Sequence, residues 1–333
     1  ILGINEKNEI VQIVENYIEK MAEQDKKSQK AEIDDVSKQK EFLDFGDVTY
    51  TEKNRAVVKV QDGCNMFCSY CIIPYARGRI RSRKIESVVS EIEKIAKEGI
   101  KEVVITGIHV ASYGKDFDNE NTSKKIRLID LLEAINKIDG IDRIRLSSLE
   151  PTIVDEEFAT RLSKLDKICD HFHLSLQSGC DETLKRMNRK YTTQIYRDAV
   201  ATLRKYYPEA SFTTDVIVGF PGETDEEFAK TYEFLKEIDF YRLHVFKYSP
   251  RRGTVAEKMP NQIDGNKKEE RSDKLIELSN STENKHNQSY IGKTVKVLFE
   301  EFEDGFFKYL LSPPPATHAQ TSSPPPSPPR CLP

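Results

Sequence analysis

Cys64-Asn65-Met66-Phe67-Cys68-Ser69-Tyr70-Cys71 sets three cysteines at C-x3-C-x2-C, directly after the strand-like run 56–61. A C-x2-C pair alone is a weak signal. A third thiol at this offset is far rarer in a chain with six cysteines among 333 residues. Three thiolates converging from one tight loop make a metal site. No fourth ligand lies close by: the next cysteine is Cys169 and the first following histidine is His109. A closed structural zinc site takes four protein ligands. Three leave a position open, which points to chemistry, and thiolate sets suit iron–sulfur centres as well as zinc. A zinc knuckle completed by a distant ligand is the alternative.

The chain around this loop alternates strand and helix. Strand patterns fall at 56–61, 102–106, 143–149, 172–177, 213–218 and 241–246. Helical patterns fall between them, at 83–98, 127–138, 155–165, 193–206 and 225–237. In 83–98, Val88, Val89, Ile92, Ile95 and Ala96 form one face, and Gly99 stands at the stop position. Such alternation predicts an α/β fold with a parallel sheet and helical crossovers. Six units are too few for an eight-fold barrel, so an open (βα)6 partial TIM barrel is expected.

Charged residues make up 32% and hydrophobic residues 38%, with a formal net charge of −4. A whole-chain basic field for nucleic acid is therefore absent, and any RNA contact must use local patches. The cysteines form no evenly spaced disulfide framework, which favours a reducing compartment. No apolar run is long enough to span a membrane, and no signal peptide is evident. The expected location is cytoplasmic.

Most candidate site residues gather at strand ends, where barrels collect their chemistry. Thr106-Gly107-Ile108-His109 ends the second strand, and a glycine there admits a ligand to the backbone. His109 reads first as a packing or hydrogen-bonding residue and second as an acid/base. Glu150 closes Ser147-Ser148-Leu149-Glu150, either as a ligand or as a helix-terminal charge. Gln177 sits in Ser175-Leu176-Gln177-Ser178-Gly179 after the fourth strand. The fifth strand runs through Ile217 into Gly219-Phe220-Pro221-Gly222-Glu223, and Thr224 is placed to cap an acidic helix start. Arg77, Arg79, Arg81 and Arg83 alternate after the cysteine loop, and Arg186, Arg189, Lys190, Arg242, Lys247, Arg251 and Arg252 add basic charge at strand ends. Arg79 and Arg81 are candidate phosphate contacts, with ion pairing as the alternative. Cys169 and Cys180 read as packing residues.

The cysteine loop resembles the signature of radical S-adenosylmethionine (SAM) enzymes. In order, DGCNMFCSYCIIPYARG, TGIH, SSLEP, HLSLQSGCDETLKRMNRKYT, TDVIVGFPGETDEEF and HVFKYSPRRGT resemble the tRNA methylthiotransferases, in particular the branch acting on N6-threonylcarbamoyladenosine. The resemblance spans about 1–308 and implies a radical SAM-type partial barrel. It implies a [4Fe-4S] cluster whose irons are held by Cys64, Cys68 and Cys71, with SAM on the fourth iron. It sets Tyr70 near the adenine, the Gly107 strand end at the SAM amino group and Gln177 at the ribose or carboxylate. Glu150 is expected among the cofactor-binding residues. Ile217 and Gly219 match the fifth-strand pattern G-x-I-x-G-x-x-E, whereas Asp215 replaces its first glycine and Glu223 comes one residue late.

The implied reaction methylates a sulfur with one SAM and cleaves a second to a 5′-deoxyadenosyl radical. That radical takes hydrogen from C2 of the adenine at tRNA position 37, where methylthio is installed. Expected partners are tRNA and a reductant such as flavodoxin or ferredoxin, and the expected state is a monomer. Isopentenyladenosine in tRNA, a ribosomal-protein aspartate, and a non-catalytic metal-binding RNA adaptor are the alternatives.

The domain expectation follows. Residues 1–22, with Ile10, Ile13, Val14, Tyr17 and Ile18 on one helical face, read as the last turn of the family's N-terminal domain. The three cysteines of that domain's second cluster have no counterpart before Cys64. Residues 23–50 read as a linker, 51–289 as the radical SAM core and 290–311 as the start of a TRAM-like β domain. Residues 312–333 read as a disordered proline-rich tail. The whole is expected to be a fragment, able to build one cluster and cleave SAM but lacking the site that presents sulfur.

Overall fold

The computed structural model describes residues 10–12, 14–15, 36–44, 54–117, 125–295, 297–303 and 306–310. Strand β1 (Arg55–Asp62) alternates as far as Val60, with Ala56, Val58 and Val60 fully buried and Val57 exposed on the opposite face. That period-2 pattern buries one face of the strand under helices and leaves the other on a concave surface. β2 (Arg81–Ser82) pairs antiparallel to β1. β3 (Glu102–Gly107) pairs parallel to β1, and β4 (Arg143–Leu146) pairs parallel to β3. A second sheet holds β5 (His171–His173), β6 (Ser211–Val218) and β7 (Arg242–Lys247), all parallel. Single parallel bridges, Ile144 to Ile168 and Leu149 to Leu174, join β4 to β5. Six parallel strands thus follow one another in chain order, as expected of an open (βα)6 half-barrel.

The helices cover the outer face. α1 (Ile73–Ala76) is a single turn after the cysteine loop. α2 (Ile85–Lys97) turns Val88, Ile92 and Ile95 inward, and α3 (Leu128–Asn136) buries Leu128, Leu131, Leu132 and Ile135. α4 (Glu156–Leu162) starts at Asp155, whose side chain accepts from Phe158 N–H. α5 (Asp181–Arg186), α6 (Thr193–Tyr206), α7 (Asp225–Ile238) and α8 (Gly265–Ser289) complete the set. Thr192 caps α6, and Thr224 with Glu227 forms a reciprocal capping box on α7. Their inward faces meet the outward strand residues, including Ile105, Ile144, Phe172, Phe212 and Val216, in one continuous core. Burying each such side chain contributes roughly 1.5–3 kcal/mol.

Strand limits differ from the sequence reading at two places. The third strand ends at Leu146 and returns only as a bridge at Leu149. The fourth covers His171–His173, because Gln177 adopts a positive φ of 70° that breaks the regular ladder.

Outside the barrel, residues 10–12 and 14–15 are helical, with Ile10 48% and Val14 46% exposed; Ile13, Tyr17 and Ile18 lie outside the described residues. Part of the stretch expected as a linker packs on the barrel. Asp44 accepts from Arg83 Nε at 2.9 Å and Ser87 Oγ at 2.6 Å, and Lys59 Nζ lies 5.7 Å from the Phe42 ring centre. β8 (Leu298–Glu303) and β9 (Phe306–Leu310) form an antiparallel hairpin within the stretch 290–311. The stretch 312–333 lies outside the described residues. No helix among the described residues is long and apolar enough to cross a membrane.

Candidate active site

The cysteine loop leaves β1 through Gly63, whose φ of +68° and crowded surroundings admit no side chain: a Cβ would lie 1.7 Å from the Arg79 carbonyl oxygen. Asp62 anchors the exit. It accepts from Gly63 N–H at 2.8 Å, Lys59 Nζ at 2.6 Å and both Nε and Nη2 of Arg77 at 3.1 and 3.0 Å. Cys64 N–H donates to Gly78 O at 3.0 Å. The far side of the loop is tied to the segment after α5. Asn188 Nδ2 donates to Phe67 O at 2.7 Å, Ser69 N–H to Met187 O at 3.0 Å and Ser69 Oγ to Arg186 O at 2.8 Å. Phe67 takes φ +50°, a costly conformation for a bulky residue that these bonds hold in place.

Cys64, Cys68 and Cys71 are free thiols, the first two each 9% exposed. Burial pushes the Cys64 thiol up to about 11 and raises Cys71 as well. Metal binding would therefore displace their protons. Two donors already face the sulfurs: Arg189 Nη1 donates to Cys68 Sγ at 3.2 Å and Met66 N–H to Cys64 Sγ at 3.4 Å. Hydrogen bonds of this kind tune iron–sulfur centres. Among the described residues, no three His, Cys, Asp or Glu side chains are grouped to hold a single metal ion. Three free thiols on one loop, with donors beside two of the sulfurs, suit the donor set of an iron–sulfur cluster in which each thiolate binds its own iron.

Arg189 links the loop to Glu150. Its Nη2 lies 3.1 Å from Glu150 Oε1, and its guanidinium stacks 4.8 Å from the Tyr191 ring centre. Glu150 is 3% exposed; Oε2 lies 3.2 Å from His109 Nε2 and accepts from Thr152 Oγ1 at 3.1 Å. Burial works against its charge, but His109 and Arg189 outweigh it and hold the carboxyl below the usual range. His109 Nδ1 meets Ser112 Oγ at 2.6 Å, so both ring nitrogens have partners, as a hydrogen-bonding histidine requires. Gly107 lies against Gln61, where a Cβ would come within 2.9 Å. Gln61 is fully buried and bridges Asp62 O, Gly63 O and His109 N–H at 2.6–2.7 Å.

Beside the loop a cleft of about 340 Å³ is lined by Tyr70, Cys71, Gln177, Asp215, Ile217 and Arg251, among others. The structure thus brings together Tyr70, Gln177 and Ile217, residues from three separate strand ends. Tyr70 packs edge-on to Phe220, ring centres 6.3 Å apart. Gln177 N–H donates to Asp215 O at 2.8 Å, and its carbonyl accepts from Ile217 N–H at 2.9 Å. Gly219 has φ +69°, and a Cβ there would meet the Lys268 stem at 2.3 Å. Glu223, 2% exposed, accepts from Gly219 N–H and Arg271 Nη1, each at 2.7 Å. It closes the turn and ties it to α8, which is a structural duty.

Arg81 departs from its expected role. Its side chain is 1% exposed and faces Asp62 at 3.6 Å, so it offers no charge to a nucleic acid. Arg79 is exposed, stacked 4.7 Å from the Phe67 ring centre. The sequence reading counted Arg189 only as basic charge and missed Gln61 and Asn188. Arg189 meets Cys68 across 121 positions of chain, which no local pattern signals.

The Radical SAM superfamily pattern matches residues 58–235, more than half of the chain, and the chain belongs to that superfamily. It is 41% identical over 269 residues to the threonylcarbamoyladenosine tRNA methylthiotransferase MtaB of Bacillus subtilis (strain 168), covering 81% of this chain and 58% of that protein. It is also 41% identical over 273 residues to the tRNA-2-methylthio-N(6)-dimethylallyladenosine synthase of Thermoanaerobacter sp. (strain X514), covering 82% and 57%. The chain therefore spans a little over half the length of these curated relatives. Among solved structures, the radical S-adenosylmethionine methyltransferase TsrM from Kitasatospora setae, with cobalamin and a [4Fe-4S] cluster bound, aligns with a TM-score of 0.50 at 21% identity. That alignment covers 61% of this chain and 38% of the other, and it speaks to the fold.

Proposed function

We propose that this chain is the radical SAM core of a tRNA methylthiotransferase acting on C2 of an N6-modified adenosine at position 37, of the threonylcarbamoyl class. The observation that carries the reading is the three-thiol loop set against a cleft lined by Tyr70, Gln177 and Ile217, in a chain 41% identical to methylthiolation enzymes of tRNA. Cys64, Cys68 and Cys71 would each hold one iron of a [4Fe-4S] cluster. When bound, the cluster and SAM supply one-electron chemistry able to remove hydrogen from an unactivated carbon. Tyr70 and Ile217 offer apolar walls for an adenine, and Gln177 offers an amide to a ribose or carboxylate. Gly107 and the buried Glu150 would offer backbone and carboxylate to the SAM ammonium group. Phe220, Met187 and Ala256 back the cleft with a small apolar cluster that keeps water out behind Tyr70. The electron comes from a reductant of the flavodoxin or ferredoxin class.

Anaerobic reconstitution with iron and sulfide tests this directly. The protein should turn brown, release 5′-deoxyadenosine from SAM under reduction, and do so faster with tRNA carrying the N6 group. Digests of the RNA by mass spectrometry then report whether C2 methylthiolation follows or, as the sequence reading expects of this chain, SAM cleavage alone. Tight stoichiometric zinc with no SAM cleavage would overturn the enzyme reading.

A further inference from the structure

Gln61 follows Val57 and Lys59 on the concave face of β1, yet it is fully buried. Its side chain crosses Gly107, and a Cβ on that glycine would stand 2.9 Å from the Gln61 Cβ. The register of β1 against β3 shifts between Lys59 and Gln61, and such an irregularity frees backbone groups from the ladder. The amide takes them up. Nε2 donates to Asp62 O at 2.6 Å and to Gly63 O at 2.7 Å, and Oε1 accepts from His109 N–H at 2.7 Å. Only one orientation serves: reversed, the amide would set its oxygen against two carbonyls and its N–H against an N–H.

The contacts run on from His109. A carboxylate oxygen only accepts, so His109 Nε2 carries the hydrogen that points at Glu150 Oε2, 3.2 Å away, and Ser112 Oγ steadies the ring at Nδ1 from 2.6 Å. Glu150 Oε1 faces Arg189 Nη2 at 3.1 Å, and Arg189 Nη1 donates to Cys68 Sγ. Gly63 leads by chain to Cys64 and on to Cys68. The path is therefore closed, from the loop entry through Gln61, His109, Glu150 and Arg189 back to the loop. Within it Glu150 Oε1, though buried, makes no hydrogen bond of good geometry. Buried polar atoms are normally paired, so this oxygen is left for one more donor.

We propose that Gln61 and His109 are positioning residues, which tie the entry of the cysteine loop to Glu150 so that its free carboxylate oxygen is presented to the SAM ammonium group. The proposal rests on the radical SAM reading above. Each residue acts through Glu150 rather than on SAM itself. Because the circuit is closed, opening it at any one member slackens the whole, and a second opening adds little. Independent supports of Glu150 would instead give losses that add in free energy and multiply in affinity.

The test uses the full chain reconstituted with iron and sulfide. Equilibrium dialysis with labelled SAM gives Kd, and release of 5′-deoxyadenosine gives kcat. Gln61→Met and His109→Leu should each raise the Kd for SAM about tenfold, the scale of a lost hydrogen bond to a charged group. About four irons per chain should remain, and kcat at saturating SAM should change little. The double variant should stay at about tenfold. His109→Gln, which still donates to Glu150, should restore most of the affinity. Iron content and thermal unfolding check that each variant folds; Ser112→Ala, which only frees the His109 ring, replaces any that does not. An unchanged Kd in the single variants, a double variant whose losses multiply, or a fall in kcat with Kd intact overturns this proposal alone. If the reconstituted wild-type chain binds no SAM, the radical SAM reading falls and takes this one with it.

Discussion

Arg189 donates from Nη1 to the sulfur of Cys68 at 3.2 Å, from a side chain only 7% exposed. A buried cation beside a cluster sulfur favours the reduced, more negative cluster. A charged hydrogen bond contributes about 1.5–3 kcal/mol, and a one-electron potential moves about 59 mV per 1.4 kcal/mol. Arg189→Met should therefore lower the reduction potential of the reconstituted cluster by roughly 60–130 mV, with Arg189→Lys intermediate. Spectroelectrochemical titration reads this; an unshifted potential would mean that the contact does not survive cluster assembly.

Serine at Cys64, Cys68 or Cys71 should abolish iron binding, because each thiolate serves one iron and the loop holds no substitute. Cys169 and Cys180 are each 1% exposed on separate elements. Their serine variants should retain about four irons per chain, the content of one cubane cluster. Iron and sulfide analysis decides the matter, and loss of iron from Cys169→Ser or Cys180→Ser would redraw the ligand set.

Glu102, at the opposite end of the barrel, is fully buried and meets Arg55, Arg143 and Arg145 at 2.6, 2.9 and 3.2 Å. Burial alone would lift its carboxyl, but the three guanidinium groups outweigh it and hold the pKa below the ordinary value. A depressed folded pKa contributes stability above the unfolded value, about 4.3, and loses it as pH falls through the folded one. Glu102→Gln should cost about 3–5 kcal/mol at neutral pH and make the stability profile shallower below about pH 4.3. Denaturant melts across pH 3–7 would show it; an unchanged acid limb would refute the assignment.

Arg79 and Arg81 separate charge from scaffold. With a net charge of −4, nucleic-acid affinity depends on local cations. Arg79→Ala should weaken tRNA binding and reduce the slope of log K against log salt by about one unit. Arg81→Ala should lower thermal stability, since it removes a buried partner of Asp62. A slope change confined to Arg81→Ala would reverse the two roles.

The barrel was legible because its information is local. Alternation in residues 56–61 and the stop at Gly99 belong to single elements, and the cysteine loop is a contiguous string. The Thr224 cap likewise lies three residues from its partner. What escaped depends on contacts across the fold. Arg81 looks like its neighbours Arg79 and Arg83 until β2 pairs with β1 and turns it toward Asp62. Arg189 acquires its meaning only when α5 delivers it to Cys68.

Among the described residues, strand pairing between β4 and β5 is reduced to two single bridges, so the ladder of the half-barrel is weakest there although one core runs across it. Arg189 reinforces that seam beside the Asn188 and Ser69 bonds. It comes from the side of β5–β7 and grips Cys68 and Glu150 on the side of β1–β4. Filling the cysteine loop clamps one jaw of that grip, and emptying it frees the jaw. Cofactor loading is therefore coupled to the stiffness of the seam by mass action, and the apo chain should open first along that line, between residues 144–149 and 168–174.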